Sequence, residues 1–166
     1  DSQAFQRLRH IRQLGFSEYA FPGATHTRYA HSLGAMQMAT RMIDRILPDL
    51  SLPAADAERV RQTVRLAVLF HDIGHPPMSH VSERVMPPVA ALDLGSWIGD
   101  PHRQATHEDF TIKILIDSEL AGLIGKGFGD LGVTPERLAA LVAGRTPPSD
   151  PNAFVLRGID LLPILS

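Results

Sequence analysis

The sequence predicts an all-α fold, on three observations. Apolar residues recur at helical spacing in successive segments. Ser, Thr, Gly and Pro stand where such segments would start and stop, and no stretch alternates convincingly at period two. The chain has 166 residues, 44% hydrophobic and 20% charged, enough to bury one core, so a single domain over 1–166 is expected. It opens without an initiator Met and closes on an apolar run, which reads as a piece of something longer.

Each element has its own signal. Phe5, Leu8, Ile11 and Leu14 recur every three residues with arginines between them, which predicts a helix capped by Ser2 and ended by Gly15. Residues 16–27, with Pro22–Gly23, read as a loop. A second helix is expected from Thr27 to Leu47, with Leu33, Met36, Ile43 and Leu47 on one stripe and Pro48 as its stop. Met36, Met38 and Met42 read as core filling. The third helix starts near Ala54–Asp56 and runs into His71–Asp72. Val60, Val64, Ala67 and Val68 form its inward face, and Leu66–Phe70 is apolar all round, as in a central helix.

Ser79 is placed as the cap of a short helix through Met86, and residues 87–105, with Trp97, as a connecting loop. Thr106 to Asp109 has the form of a capping box and opens a helix bearing Phe110, Ile114 and Leu115. Gly122, Gly125, Gly127 and Gly129 are expected to break the next stretch. Thr134-Pro135-Glu136 restarts a helix that closes at Gly144, and a loop at 146–151 precedes the apolar Ala153–Leu165.

Composition excludes several function classes. Cysteine is absent, so disulfides and thiolate metal sites are excluded, which fits a reducing, cytoplasmic setting. No apolar run approaches the roughly 20 residues of a membrane span. A net charge of −2 provides no general pull toward nucleic acid, so single-stranded nucleic acid stays open as a partner without being indicated. The positive charge is carried by 14 Arg against 2 Lys, which leaves room for planar phosphate forks.

Residues 65–80 concentrate the chemistry. The run Leu66–Phe70 ends in His71–Asp72, Gly74 and Pro76–Pro77 stop the helix, and His75 and His80 follow. Burying imidazoles and a charge without partners costs several kcal/mol, so partners must be close. Imidazole with carboxylate is a ligand set for a divalent ion of the Fe, Mn, Zn or Mg kind, which predicts a metal site at the C-terminal end of a core helix. His10, His26 and His102 read as surface or loop residues, and Arg7 and Arg12 as solvated faces or subunit contacts.

Arg28-Tyr29-Ala30-His31-Ser32-Leu33-Gly34, His71-Asp72-Ile73-Gly74-His75 and Ser79-His80 together resemble the HD-domain phosphohydrolases. Adding Phe5-Gln6-Arg7-Leu8-Arg9, Ile11, Gln13-Leu14-Gly15 and Phe21-Pro22-Gly23-Ala24, the chain looks like the deoxynucleoside triphosphate triphosphohydrolases, most strongly over 1–86 and again at His107–Glu108. The resemblance implies an HD-domain helical bundle, truncated on its C-terminal side. It implies His31, His71 and Asp72 as metal ligands, with a fourth carboxylate expected beyond Ser166. Asp160 does not fall at the matching position.

By the same resemblance, His75, His80, Glu83 and His107 are catalytic, Glu83 orienting His107. Arg28 contacts phosphate, and Gln13 reads the sugar 3′-hydroxyl. Asp1, Gln6 and Arg9 coincide with positions for a regulatory guanine nucleotide. The implied reaction is attack of water on the α-phosphorus of a dNTP, giving deoxynucleoside and triphosphate, in a homo-oligomer. Two rivals remain. One is another HD reaction on a nucleotide phosphodiester, a single strand or a nucleoside monophosphate, and the other a nucleotide-sensing HD protein without turnover.

Overall fold

The computed structural model describes residues 2–156 and 158–165. Asp1, one of the three positions expected to bind a regulatory nucleotide, lies outside them. Helix α1 covers only Gln3–Gln6 and passes at once into a 3-10 turn over Arg7–His10. The three-residue recurrence of Phe5, Leu8 and Ile11 is the period of a 3-10 helix rather than of an α-helix, and all three side chains are buried. Ser2 caps as expected, its hydroxyl accepting from the Phe5 amide. Ile11 is already extended, and Arg12 pairs with Thr27 in an isolated β-bridge that delivers the chain to α2.

Helix α2 spans Arg28–Ile46 with Thr27 as its cap, and α3 spans Ala54–Phe70. The two pack along each other. On α3 the buried residues are Val60, Thr63, Val64, Leu66, Ala67 and Phe70, close to the expected face. On α2 the expected stripe is corrected: the buried line is Arg28, Ser32, Thr40 and Ile43, while Leu33 is exposed. Met38 and Met42 are 55% and 62% exposed, so they are not core filling. Their spacing of four puts them on one face of α2, and that face is exposed.

Beyond α3 a 3-10 segment runs over Ser79–Val85. Ser79 does not cap it; its hydroxyl is engaged by Arg28 instead. The stretch 87–105 does more than connect, because Val89, Leu92, Leu94 and Trp97 are all buried in the core.

Helix α4 spans His107–Ile116, and the Asp109 carboxylate accepts from the Thr106 amide at 2.8 Å and its hydroxyl at 3.1 Å. Helix α5, Glu119–Phe128, runs through Gly122, Gly125 and Gly127, correcting the expected break. Leu120 and Ile124, one turn apart, are buried, and that packing outweighs a glycine penalty of roughly 1 kcal/mol each. Helix α6, Pro135–Val142, starts at the Thr134 cap as expected. The final apolar run forms β1 (Val155–Leu156) and β2 (Ile159–Asp160), an antiparallel pair, and then α7, Leu162–Leu165. Apart from that pair and isolated bridges, the regular secondary structure of the described residues is helical. No described helix is long and apolar enough to cross a membrane.

Candidate functional site

The site lies where the end of α3 meets α2 and α4. His31 comes from the first turn of α2, and His71 and Asp72 from the residues that close α3. The Nε2 atoms of His31 and His71 are 3.3 Å apart, and Asp72 Oδ1 is 3.3 Å from His71 Nε2. His71 Nδ1 lies 2.6 Å from the Val68 carbonyl. A carbonyl only accepts, so Nδ1 carries the proton and Nε2 is left with its lone pair facing His31 and Asp72. Two imidazoles and a carboxylate with ligand atoms within 4.8 Å of one another fit a divalent ion. Asp160, by contrast, accepts from the Leu162 amide at 3.0 Å at the start of α7 and does not join this group.

A second group gathers around Glu83. Its Oε1 lies 2.5 Å from His107 Nδ1 and 3.2 Å from His80 Nδ1. His75 stacks on His107 with ring centroids 3.7 Å apart and 17° between planes, and His80 meets both rings edge-on. The far nitrogen of His107, Nε2, faces Glu108 at 3.2 Å. Asp72 joins the two groups, since the Oδ1 that faces His71 also lies 3.4 Å from His75 Nε2. His75 and Asp72 form the buried floor, while His80 is 65% exposed at the rim.

Burial and charge set the ionisation of these groups. Burial pushes the Asp72 carboxyl up, but the hydrogen bond from His75 and the neighbouring His71 and Arg28 outweigh it and hold it well below the ordinary aspartate range. Burial pushes His75 down from the ordinary histidine value, against the pull of Asp72. His31 is likewise pushed down by burial. For Glu83 burial acts upward, and its hydrogen bonds from His107 and His80 hold it below the ordinary glutamate value.

Arg28 is only 2% exposed. Its Nη1 donates to Asp72 Oδ2 at 2.6 Å, and its Nη2 donates to Ser79 Oγ and to the Gln13 carbonyl. Its Nε and the Gln13 side-chain oxygen are buried without a hydrogen-bond partner. Gln6 and Arg9 sit apart from this site. Arg9 donates to Gln6 at 2.5 Å, stacks over Tyr29, and lines with it a groove of about 580 Å³ between α1 and α5.

Two residues outside the expected set hold the turn at 71–75 in place. Arg7, read as a surface or subunit residue, is half-buried and donates to the carbonyls of His75 at 2.8 Å and Ile73 at 2.5 Å. Thr111, fully buried on α4, donates to the His71 carbonyl and accepts from the Gly74 amide, each at 3.0 Å. At Gly74 a side chain would run into the α4 backbone at His107 and Thr111, so only glycine allows this approach. Nothing local in the sequence separates Arg7 from Arg9 and Arg12. For Thr111 the one available signal is a hydroxyl among the apolar residues of α4.

Comparison with known proteins agrees with this geometry. Residues 28–159 match the HD domain family. The chain is 38% identical over 120 residues to the deoxynucleoside triphosphate triphosphohydrolase SAMHD1 homolog of Dictyostelium discoideum, covering 69% of this chain and 20% of that protein. It is 42% identical over 97 residues to the deoxynucleoside triphosphate triphosphohydrolase SAMHD1 of Bos taurus, covering 57% of this chain and 16% of that one. A crystal structure of a hypothetical protein from Aquifex aeolicus superposes with a TM-score of 0.61 at 30% identity, over 95% of this chain and 36% of the other. The chain thus spans a fifth or less of these two relatives. With the His31–His71–Asp72 trio at the junction of α2 and α3, it belongs to the HD-domain family of metal-dependent hydrolases, on its dNTPase-like side.

Proposed function

We propose that this chain is the HD core of a phosphohydrolase that splits a deoxynucleoside triphosphate into deoxynucleoside and triphosphate. The observation that carries the reading is the single Asp72 carboxylate shared between a metal-ligand trio and a group of three imidazoles around Glu83. His31, His71 and Asp72 would hold the ion. What a divalent ion on this trio supplies is Lewis-acid neutralisation of phosphate charge and an acidified water near neutral pH.

The rest falls to side chains. As water bonds to the α-phosphorus and gives up a proton to solvent, the bond from phosphorus to the 5′-oxygen breaks, and that oxygen must take a proton. Glu83 holds His80 through Nδ1, so His80 Nε2, on the exposed rim, is the atom that delivers it. His107 is held by the same carboxylate oxygen and stacks on His75, which restricts both rings beside the scissile bond. Arg28 keeps a buried Nε without a hydrogen-bond partner, which supports the phosphate-contacting role that the resemblance implies for it. The unpartnered Gln13 side-chain oxygen supports its role as reader of the 3′-hydroxyl, since an amide left unsatisfied typically costs about 1–3 kcal/mol. By the same resemblance, the groove beside Gln6 and Arg9 takes a regulatory nucleotide in a homo-oligomer.

The test is product analysis. With Mn²⁺ and a dNTP, inorganic triphosphate and deoxynucleoside should appear in equal amounts. Pyrophosphate or orthophosphate instead would move the protein to another HD phosphohydrolase reaction, and no product would favour a nucleotide-binding role without turnover.

A further inference from the structure

We propose that Ser79 is a positioning residue which, through Arg28, couples the loop carrying Gln13 to the Asp72 carboxylate, so that metal affinity and recognition of the sugar depend on one another. The sugar half rests on the function proposed above; the Asp72 half does not.

Ser79 is buried and its backbone stands at φ 57°, a left-handed conformation that a residue with a Cβ adopts at a cost. Glycine would sit there without strain, so the hydroxyl is the reason for a serine. That hydroxyl is used twice: it accepts from Arg28 Nη2 and donates to the Gln13 carbonyl at 3.4 Å. Arg28 Nη2 reaches the same carbonyl at 3.3 Å, while Nη1 holds Asp72 Oδ2 at 2.6 Å.

The guanidinium is planar and rigid, so its two amino ends move together. Releasing Nη2 from Ser79 therefore disturbs Nη1 at Asp72. A second observation ties the loop to this point. Gly15, at φ 53°, packs so closely that a Cβ there would lie 2.9 Å from the Met78 carbonyl and 3.5 Å from the Ser79 Cβ. Loop 12–15 thus rests on residues 78–79, with Gln13 on one side of Ser79 and Asp72, through Arg28, on the other.

Ser79→Gly removes the hydroxyl and relieves the backbone, so folding should be retained. Mn²⁺ affinity by isothermal titration should fall about tenfold, the loss expected for one hydrogen bond to a charged group. The preference for a dNTP over its 3′-deoxy analogue, as a ratio of kcat/KM, should fall with it. Adding Gln13→Ala to Ser79→Gly should then cost little further discrimination, because the two act as one unit. Wild-type Mn²⁺ affinity in Ser79→Gly, or losses of discrimination that add in full, would overturn the coupling. Ser79→Ala removes the hydroxyl but keeps the Cβ and leaves Arg28 in place, so it should show the same paired losses and decides the matter if Ser79→Gly does not fold. A wild-type chain without dNTP turnover would sink the proposed function and the sugar half with it, while the Mn²⁺ titration still reads the Asp72 half without any reaction.

Discussion

Asp72 uses both carboxylate oxygens: Oδ2 is held by Arg28, and Oδ1 faces His71 and His75. Its loss and the loss of His71 should therefore have different consequences. Either His71→Ala or Asp72→Ala removes a proposed ligand and should abolish most Mn²⁺ binding and all hydrolysis, read by metal stoichiometry and product release. Only Asp72→Ala also leaves a buried arginine without its counter-charge, which typically costs about 3–5 kcal/mol. In metal-free buffer, denaturant unfolding should show Asp72→Ala as much the less stable of the two. Equal stabilities would mean that the Arg28–Asp72 pair is unimportant to folding, and unchanged metal content would remove the ligand assignment.

At the scale of elements, α4 brings His107 to the turn at 71–75, and the contact is made backbone to backbone at Gly74. Gly74→Ala forces α4 away from that turn. It should cost about 1–3 kcal/mol in thermal or denaturant unfolding, as overpacking does, and separate His107 from His75. A variant as stable and as active as wild type would show that the approach is incidental.

The start of α4 is held by Asp109, which receives the Arg103 fork at 2.6 and 2.7 Å besides the Thr106 amide. Burial pushes its carboxyl up, and these hydrogen bonds overcome that and hold it below the ordinary aspartate value. Its stabilisation is therefore fully present above the unfolded value, near 3.9, and is lost as the pH falls through the lower folded value. Asp109→Asn should reduce stability at pH 7 by about 1–2 kcal/mol, with the gap from wild type narrowing below about pH 4. A gap that stays constant down to acid unfolding would show that the charge of Asp109 is not what holds the helix start.

For the whole molecule, the site ties α2 to the end of α3 and, through His75 and Asp72, to α4. Binding an ion at His31, His71 and Asp72 should thus stabilise the entire fold. At a Mn²⁺ concentration 100-fold above its Kd the gain is about 2.7 kcal/mol, visible as a rise in Tm that a chelator reverses and that His71→Ala lacks. No rise in the wild-type chain would contradict ion binding at these residues.

Helix type and most helix starts were determined by the sequence itself, because they depend on neighbours a few residues away. Thr27, the Thr106–Asp109 pair and Thr134 begin α2, α4 and α6 as their side chains dictate, and the apolar phase of α3 marks its buried face. His71 and Asp72 were legible as a pair since they are adjacent. The rest of the site comes from chain segments far apart. His107 reaches Glu83 across 24 residues, and Arg28 reaches Asp72 across 44. Arg7 meets the carbonyls of Ile73 and His75 across more than 60. Family resemblance singles out Arg28, Glu83 and His107, but neither it nor any local spacing shows these partners, and Arg7 looks like any solvated arginine. Packing likewise decided that the glycine-rich segment 119–128 is a helix and that Trp97 enters the core. Local spacing encodes period and caps, whereas burial and the closing of a polar network depend on which elements meet, and only the tertiary fold brings them together.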